Sequence, residues 1–363
     1  MAELLKHRYN PALISSLGDA LQQAYTPFDI EGFTAFVFDA EWGEKELKDR
    51  MKHVAVSMFN FLPDDFSQAI EVLKSASPNF GGFEFMFFPT YVELYGLDRF
   101  DISIPALEFF TQFSSSEFAV RPFIKQYPDK MMQQMLLWAT SDNHHVRRLA
   151  SEGCRPRLPW AMELPDFKKN PKPVMAVLEL LKNDESEYVR RSVANNLNDI
   201  SKDNPQLVID VAKSWMGKTS NTDTLLKHAC RGLLKSGDEA ILPLFGFEPA
   251  HHVELSSFKV DPEVAIGDKL QFEFCLSTTQ ESLGKLRLEY AVDFLRSNGT
   301  SSRKVFKMSE ADFSQQNKQV IKRHSFKLIS TRRYYAGSHN MVVIVNGKGV
   351  ASCPFLLTEI KGG

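Results

Sequence analysis

At 363 residues, with 43% hydrophobic and 24% charged side chains, the chain is long enough for two or three domains, and its ordinary globular composition excludes a disordered or low-complexity protein. The net charge of -2 hides an asymmetry: Ser256 to Gly363 holds 16 basic and 10 acidic residues, a balance of +6 that leaves -8 for Met1 to Leu255. Four scattered cysteines (Cys154, Cys230, Cys275 and Cys353) form no C-x-x-C pair, and no run approaches the roughly 18 apolar residues of a membrane span. With no signal-peptide core after Met1, these features predict a soluble cytoplasmic protein with reduced thiols and no membrane partner.

Up to about residue 245 the apolar residues recur at helical spacing. Leu47, Met51, Val54, Met58 and Phe61 step by three or four, and Ala106 to Phe113 and Met131 to Trp138 continue the pattern. This half therefore predicts helices throughout. The run Leu137 to Arg148 is echoed by Leu180 to Arg191, with Val146 and Val189 43 residues apart. Each copy has an apolar helix, an Asp-containing turn and a helix opening on Val-Arg-Arg, a period that fits HEAT and armadillo repeats. Asp142 or Asn143 is placed to cap the second helix of one repeat and Ser186 that of the next. A looser third copy starts at Leu225.

Beyond Phe247-Glu248-Pro249 the period changes to two. Lys269 to Leu276 and Lys285 to Tyr290 alternate, and Met341 to Val345 is a β-branched run closed by the hairpin signal Asn346-Gly347. About seven short strands are expected, in an immunoglobulin-like sandwich without the Cys-Trp-Cys pattern of antibody domains, with Cys275 and Cys353 as core thiols. The chain thus reads as multidomain: an all-α HEAT-like solenoid over residues 1–250, followed by a small all-β sandwich over residues 256–363.

The densest polar segment runs from Arg147 to Trp160. Arg148, Glu152 and Arg155 are i, i+4 and i+7, so they share one helix face, and the helix must stop near Pro156. Superposing the repeats places Arg191 on Arg148 and Asn195 on Glu152, with Asp199 one turn further on. By spacing alone, Arg148 and Glu152 also fit a surface pair worth a few tenths of a kcal/mol. Glu117 follows a serine run that suits a helix cap, so a first-turn acid is its structural alternative. Trp160, after Pro159, fits either a core position or a flat wall. Arg147, Arg148, Arg155, Arg190 and Arg191 suit phosphate oxygens, or pair locally with Asp142 and Glu187. His144-His145 and His251-His252 diverge by about 100 degrees within each pair, so neither makes a two-ligand metal site on one helix face. His252-Val253-Glu254 lies in a linker, and no G-x-x-x-x-G-K-[ST] loop is present.

Together the segments Arg147 to Trp160 and Tyr188 to Asp199 closely resemble the AlkC family of alkylpurine DNA glycosylases, relatives of AlkD built from HEAT-like repeats. The resemblance covers nearly the whole chain, and some members carry a similar immunoglobulin-like domain. It implies a monofunctional glycosylase with neither metal nor other cofactor, acting as a monomer on double-stranded DNA containing alkylated bases such as 3-methyladenine, 3-methylcytosine and 1-methyladenine, near the bacterial nucleoid. Glu117 matches the position of the family's essential acid; AlkD-like proteins usually have Asp there with tryptophans nearby, whereas here the neighbours are Phe110 and Phe113, which points to the AlkC branch. The resemblance puts Trp160 beside the lesion.

A base already cationic leaves as a neutral group and needs little acid catalysis. Carboxylates at the sugar then stabilise its oxocarbenium character and an attacking water. Glu117, Glu152 and Asp199 are the candidates, with Asn195 in the same groove. In the basic sandwich Arg303-Lys304, Lys322-Arg323 and Arg332-Arg333 are expected to meet the phosphate backbone. A non-catalytic HEAT-repeat scaffold, with a sandwich that binds protein or DNA, is the alternative that the repeats and charge asymmetry allow.

Overall fold

The computed structural model describes residues 5–329 and 332–359, and the chain divides into two compact units, Met1–Asn204 with Gly217–Ala229 and Pro205–Met216 with Cys230–Gly363. In the first unit α1 (Pro11–Ala24), α2 (Ile30–Val37), α3 (Leu47–Phe61), α4 (Phe66–Ala76), α5 (Phe87–Tyr95) and α6 (Phe100–Phe110) precede the repeats. These are α7 (Val120–Gln126) with α8 (Pro128–Trp138), α9 (His144–Gly153), α10 (Pro165–Lys169) with α11 (Lys172–Leu181), and α12 (Glu187–Ile200). After them α13 (Pro205–Trp215) belongs to the second unit and α14 (Ser220–Ala229) to the first. The change from helices to strands therefore comes later in the chain than the change from one compact unit to the other.

Apolar periodicity explains the first unit. Helix α3 spans the predicted stripe and buries Met51, Val54 and Met58. Within the repeats α8 packs on α11, α9 on α12 and α12 on α14, so the second helices form one row. Asn143, not Asp142, caps α9, its side chain accepting from the His145 N–H at 2.8 Å. Ser186 occupies the N-cap of α12 but makes no side-chain cap bond; Asp184 accepts from its N–H instead, at 2.8 Å.

The second unit holds α13, α15 (Arg231–Ser236) and eight strands: β1 (Val253–Val260), β2 (Glu263–Ala265), β3 (Lys269–Thr278), β4 (Gly284–Leu295), β5 (Ser301–Phe313), β6 (Asn317–Ser325), β7 (Gly337–Val345) and β8 (Lys348–Thr358). They pair as a three-stranded sheet in the order β1-β3-β6 and a five-stranded sheet in the order β2-β8-β7-β4-β5. The strand additional to the expected seven is the three-residue β2, which runs parallel to β8. Inward residues of both sheets, among them Phe272, Phe274, Leu288, Val292, Met341 and Phe355, form one core. The expected hairpin joins β7 to β8, with φ of 44° at Asn346 and 81° at Gly347, positive at both central positions as a type I′ turn requires. Cys275 and Cys353 are free and half-buried, not core thiols. The pleat explains Cys275, which alternates with inward Phe274 and Leu276.

Candidate active site: a row of alternating charges

Three carboxylates and two guanidiniums alternate across the first unit. Arg148 ion-pairs through Nη1 with Glu117 and donates through the same nitrogen to Ser115 Oγ at 2.8 Å, while its Nη2 lies 3.5 Å from Glu152 Oε1. Arg155 donates from Nη1 to Glu152 Oε1 at 2.6 Å and from Nε to Asp199 Oδ2 at 2.8 Å. Lys202 closes the row at 3.2 Å from Asp199 Oδ1. Glu152 is 5% exposed and Asp199 3%, so this is no solvated surface pair. Helix α9 brings Arg148 and Glu152 to one face, the turn after it brings Arg155, and α12 supplies Asp199.

Glu117 lies three residues ahead of α7, whose N-cap is Ala119, so it is neither a first-turn acid nor preceded by serine caps. Ser115 donates to Glu117 Oε2 at 2.9 Å, and Ser116 donates to the Leu107 carbonyl. Glu152 accepts from Ser192 Oγ at 2.6 Å, and Ser192 in turn accepts from Ser151 at 2.6 Å. Burial works against the Arg148 charge, but Glu152 and Glu117 outweigh it and hold the guanidinium above its ordinary pKa. The same balance, with Glu152 and Asp199 against desolvation, raises Arg155. With Lys202 the row holds three carboxylates against three cations, a preorganised set of charges whose geometry is fixed.

The turn from Arg155 onward carries Trp160. The residue is 63% exposed, so the core alternative fails, and its φ of 64° is a strained conformation for a bulky residue. Several contacts hold this turn. Lys48 donates to the Trp160 carbonyl at 2.6 Å, and Arg157 pairs with Asp203 at 2.7 and 3.0 Å. Arg121, fully buried, donates to the Met162 carbonyl at 2.7 Å and the Gly153 carbonyl at 2.9 Å, so one guanidinium grips both ends. Burial pulls the Arg121 pKa down to about 10. The neighbouring Cys154 thiol is pushed up to about 12 by its own burial, which makes it an inert packing group.

The remaining arginines of the repeats divide by role. Arg147 is committed to Asp184 at 2.6 and 3.0 Å, to Glu185 at 3.3 Å and to the carbonyls of Ser141 and Asp142, so it ties two successive turns together and is not a free phosphate ligand. Its carboxylate partners are thus Asp184 and Glu185, not Asp142 and Glu187. Arg190 donates to the Asp184 and Glu185 carbonyls, and Arg155 is enclosed between its two acids. Arg191 is exposed. Asn195 is not in the row: its Oδ1 meets His228 on α14 at 3.0 Å. Repeat-equivalent residues point the same way and stand one helix spacing apart, about 8–10 Å, so the residue that reaches Glu152 is Ser192, nearly one turn earlier. Sequence reasoning also missed Ser115, Arg121 and Tyr188, whose ring lies 5.1 Å from the Arg148 guanidinium. For Tyr188 and Ser192 the signal was their i, i+4 spacing, on the helix that carries Asp199.

In the second unit Arg303 is spent on Asp293, at 2.7 and 2.8 Å. Adjacent strand residues point to opposite faces, so Lys304 does not share that contact. Arg332 and Lys235 lie close enough to reinforce the burial that lowers the Lys304 pKa. Arg332 also covers Phe294 at 4.2 Å, and Arg333 lies 5.5 Å from the ring of Tyr335. Lys322 is exposed, and Arg323 donates to Gln271 at 3.0 Å. Among the described residues no group of three or more His, Cys, Asp or Glu could hold a metal ion, and no helix is long and apolar enough to cross a membrane.

The chain has solved and sequenced counterparts. Residues 110–233 match the model of the DNA alkylation repair enzymes, and residues 254–359 that of the C-terminal Ig-like domain of the uncharacterised protein YhaZ. YhaZ of Bacillus subtilis is 44% identical over 97% of this chain and 98% of its own. The Pseudomonas fluorescens alkylpurine DNA glycosylase AlkC, solved bound to DNA containing an abasic site analogue, is 34% identical with a TM-score of 0.92, covering 98% of this chain and 99% of that one. With likeness on that scale across both parts of the molecule, the chain belongs to the AlkC family of alkylpurine DNA glycosylases.

Proposed function

We propose that this protein hydrolyses the N-glycosidic bond of cationic alkylated bases, 3-methyladenine, 3-methylcytosine and 1-methyladenine, in duplex DNA. The observation that carries the reading is the row Glu117, Arg148, Glu152, Arg155, Asp199, whose three carboxylates are held in fixed geometry by the two guanidiniums between them. Such a field stabilises the oxocarbenium character of the deoxyribose as the bond to the base lengthens, and a carboxylate accepts a proton from the attacking water. The departing electron pair neutralises the base, so no acid is required at the leaving group. Within the row Glu117, Glu152 and Asp199 act on the sugar and water, while Arg148 and Arg155 hold them apart.

The exposed indole of Trp160 provides an apolar wall beside the lesion, and the base is excised without being extruded into a specific pocket. In this reading residues 1–250 form the glycosylase domain and 256–363 an accessory domain that grips DNA through Lys304, Arg332, Arg333, Lys322 and Arg323. Arg191 is the repeat arginine best placed for phosphate. The AlkC relative solved on DNA supports DNA as partner; we place the protein in the bacterial cytoplasm at the nucleoid, as a monomer. The test is release of free methylated bases from methylated duplex, with uracil- and hypoxanthine-containing duplexes in parallel. Cationic bases should be freed and neutral ones retained, and efficient uracil release would refute the mechanism.

A further inference from the structure

Tyr188 stands in the first turn of α12, on the face that also carries Ser192 and Asp199, since positions i, i+4 and i+11 of a helix fall on one side. On α9, His145, Arg148 and Glu152 share a face at i, i+3 and i+7. Packing of α9 on α12 lays the Tyr188 ring over the Arg148 guanidinium, 5.1 Å from its centroid. Two histidines of α9 flank the ring edge-on, His145 at 5.8 Å and His144 at 6.3 Å. Tyr188 is 43% exposed and its hydroxyl makes no hydrogen bond among the described residues, so neither core burial nor polar pairing accounts for its place. Arg148 has a use for such a cover. In its own plane it is held firmly at one corner only, where Nη1 meets Glu117 and donates to Ser115 Oγ at 2.8 Å, while Nη2 reaches Glu152 across 3.5 Å. The firm pair alone would draw the guanidinium away from Glu152. A flat ring against one face opposes that swing, and its π electrons attract the cation where it lies.

We propose that Tyr188 is a positioning residue for base excision: stacked on Arg148, it keeps that guanidinium shared between Glu117 and Glu152 and so fixes the spacing of the two carboxylates. The ring acts through Arg148 and not by touching DNA. This role rests on the reading of the charged row as the excision site; the stacked contact itself does not.

Full-length native protein is compared with Tyr188→Leu, Tyr188→Phe, Arg148→Lys and the double variant carrying Tyr188→Leu with Arg148→Lys. Single-turnover release of base from methylated duplex, at saturating enzyme, should fall about 5- to 30-fold in Tyr188→Leu, the rate equivalent of a partly desolvated cation–π contact. Tyr188→Phe, whose ring still covers the cation, should stay within about threefold of the native rate. Affinity for the duplex should change less than about twofold in both, because Arg148 is spent on carboxylates. In the Arg148→Lys background the leucine should cost less than about a further twofold, since the planar partner is already gone. A native rate in Tyr188→Leu, a phenylalanine variant as slow as leucine, losses that simply add in the double variant, or a fall in DNA affinity that matches the fall in rate would each overturn the proposal. A spectrum of protein labelled with nitrogen-15 arginine supplies a readout independent of turnover. The Arg148 guanidinium resonance, assigned by its absence in Arg148→Lys, should be displaced by the ring current in native protein and in Tyr188→Phe, and should relax in Tyr188→Leu. An undisplaced resonance in native protein refutes the contact whether or not any variant folds. The two readings fail separately: no base release by native protein rejects the excision site and this role with it, whereas native release that Tyr188→Leu leaves unchanged rejects the role of Tyr188 alone.

Discussion

Replacing Glu152 by glutamine removes one charge from the centre of the row while leaving its hydrogen bonds nearly intact. In the native protein Oε1 accepts from Arg155 at 2.6 Å and faces Arg148 at 3.5 Å, and Oε2 accepts from Ser192 at 2.6 Å. A glutamine oxygen keeps the Arg155 bond. Its amide N–H then donates to Ser192, whose hydroxyl turns toward Ser151, and Ser151 already donates to the Arg148 carbonyl at 3.1 Å. The serine pair thus reverses direction without loss of a bond, and the fold should lose no more than about 2 kcal/mol, the worth of weakening one charge-assisted hydrogen bond. The field changes more: three carboxylates against Arg148, Arg155 and Lys202 become two against three, and the row turns net positive where the sugar's positive charge develops. Loss of one such stabilising group costs about 2–4 kcal/mol in the transition state, or about 30- to 1,000-fold in rate. Single-turnover release of 3-methyladenine at saturating enzyme, with a thermal melt in the same buffer, separates the two effects. A folded Glu152→Gln protein with the native rate would refute the electrostatic argument. Asp199→Asn and Glu117→Gln should fall in the same range.

Trp160→Gly should relieve the φ of 64°, stabilising the backbone by about 1 kcal/mol, yet slow base release; a variant with a lower melting temperature and native rate would contradict both halves. The double substitution Lys304→Ala with Arg332→Ala should weaken duplex binding and reduce the slope of log affinity against log salt by about two, and an unchanged slope would remove this patch from the DNA contact. Substitution is preferable to deleting the sandwich, because the second unit also contains helices. His324, 6% exposed and accepting from or donating to the Tyr290 hydroxyl at 2.9 Å, has its pKa lowered to about 4 by burial, with Arg332 and Lys304 adding to the effect. Because the folded state resists protonation, the unfolded chain binds more protons between about pH 6.5 and 4, and stability must fall as pH drops through that window, by up to about 3 kcal/mol. Melting of the native protein against a His324→Asn variant checks this: the pH slope should flatten in the variant.

Periodicity and turn chemistry in the sequence determined the elements. The stripe from Leu47 to Phe61 became α3, the cap at Asn143 began α9, and Asn346-Gly347 made its hairpin, because helix faces, caps and positive-φ turns depend on residues within a few positions of one another. Spacing likewise put Arg148 and Glu152 together on one helix. What spacing could not give is the partner across the groove. Only packing of α9 on α12 decided that Ser192 meets Glu152 while Asn195 turns to His228, since a repeat superposition aligns equivalent residues and says nothing of which side chains span the gap. Packing also separated the arginines, enclosing Arg155 between two acids and committing Arg147 to Asp184, although both sit in similar basic sequence. Buried Arg121 left no local trace, because its partners are carbonyls, which every residue has, 32 and 41 positions away. A sequence records which groups are available; the burial that makes a charge pair strong, and the strain that leaves Trp160 exposed, arise only when distant segments close around them.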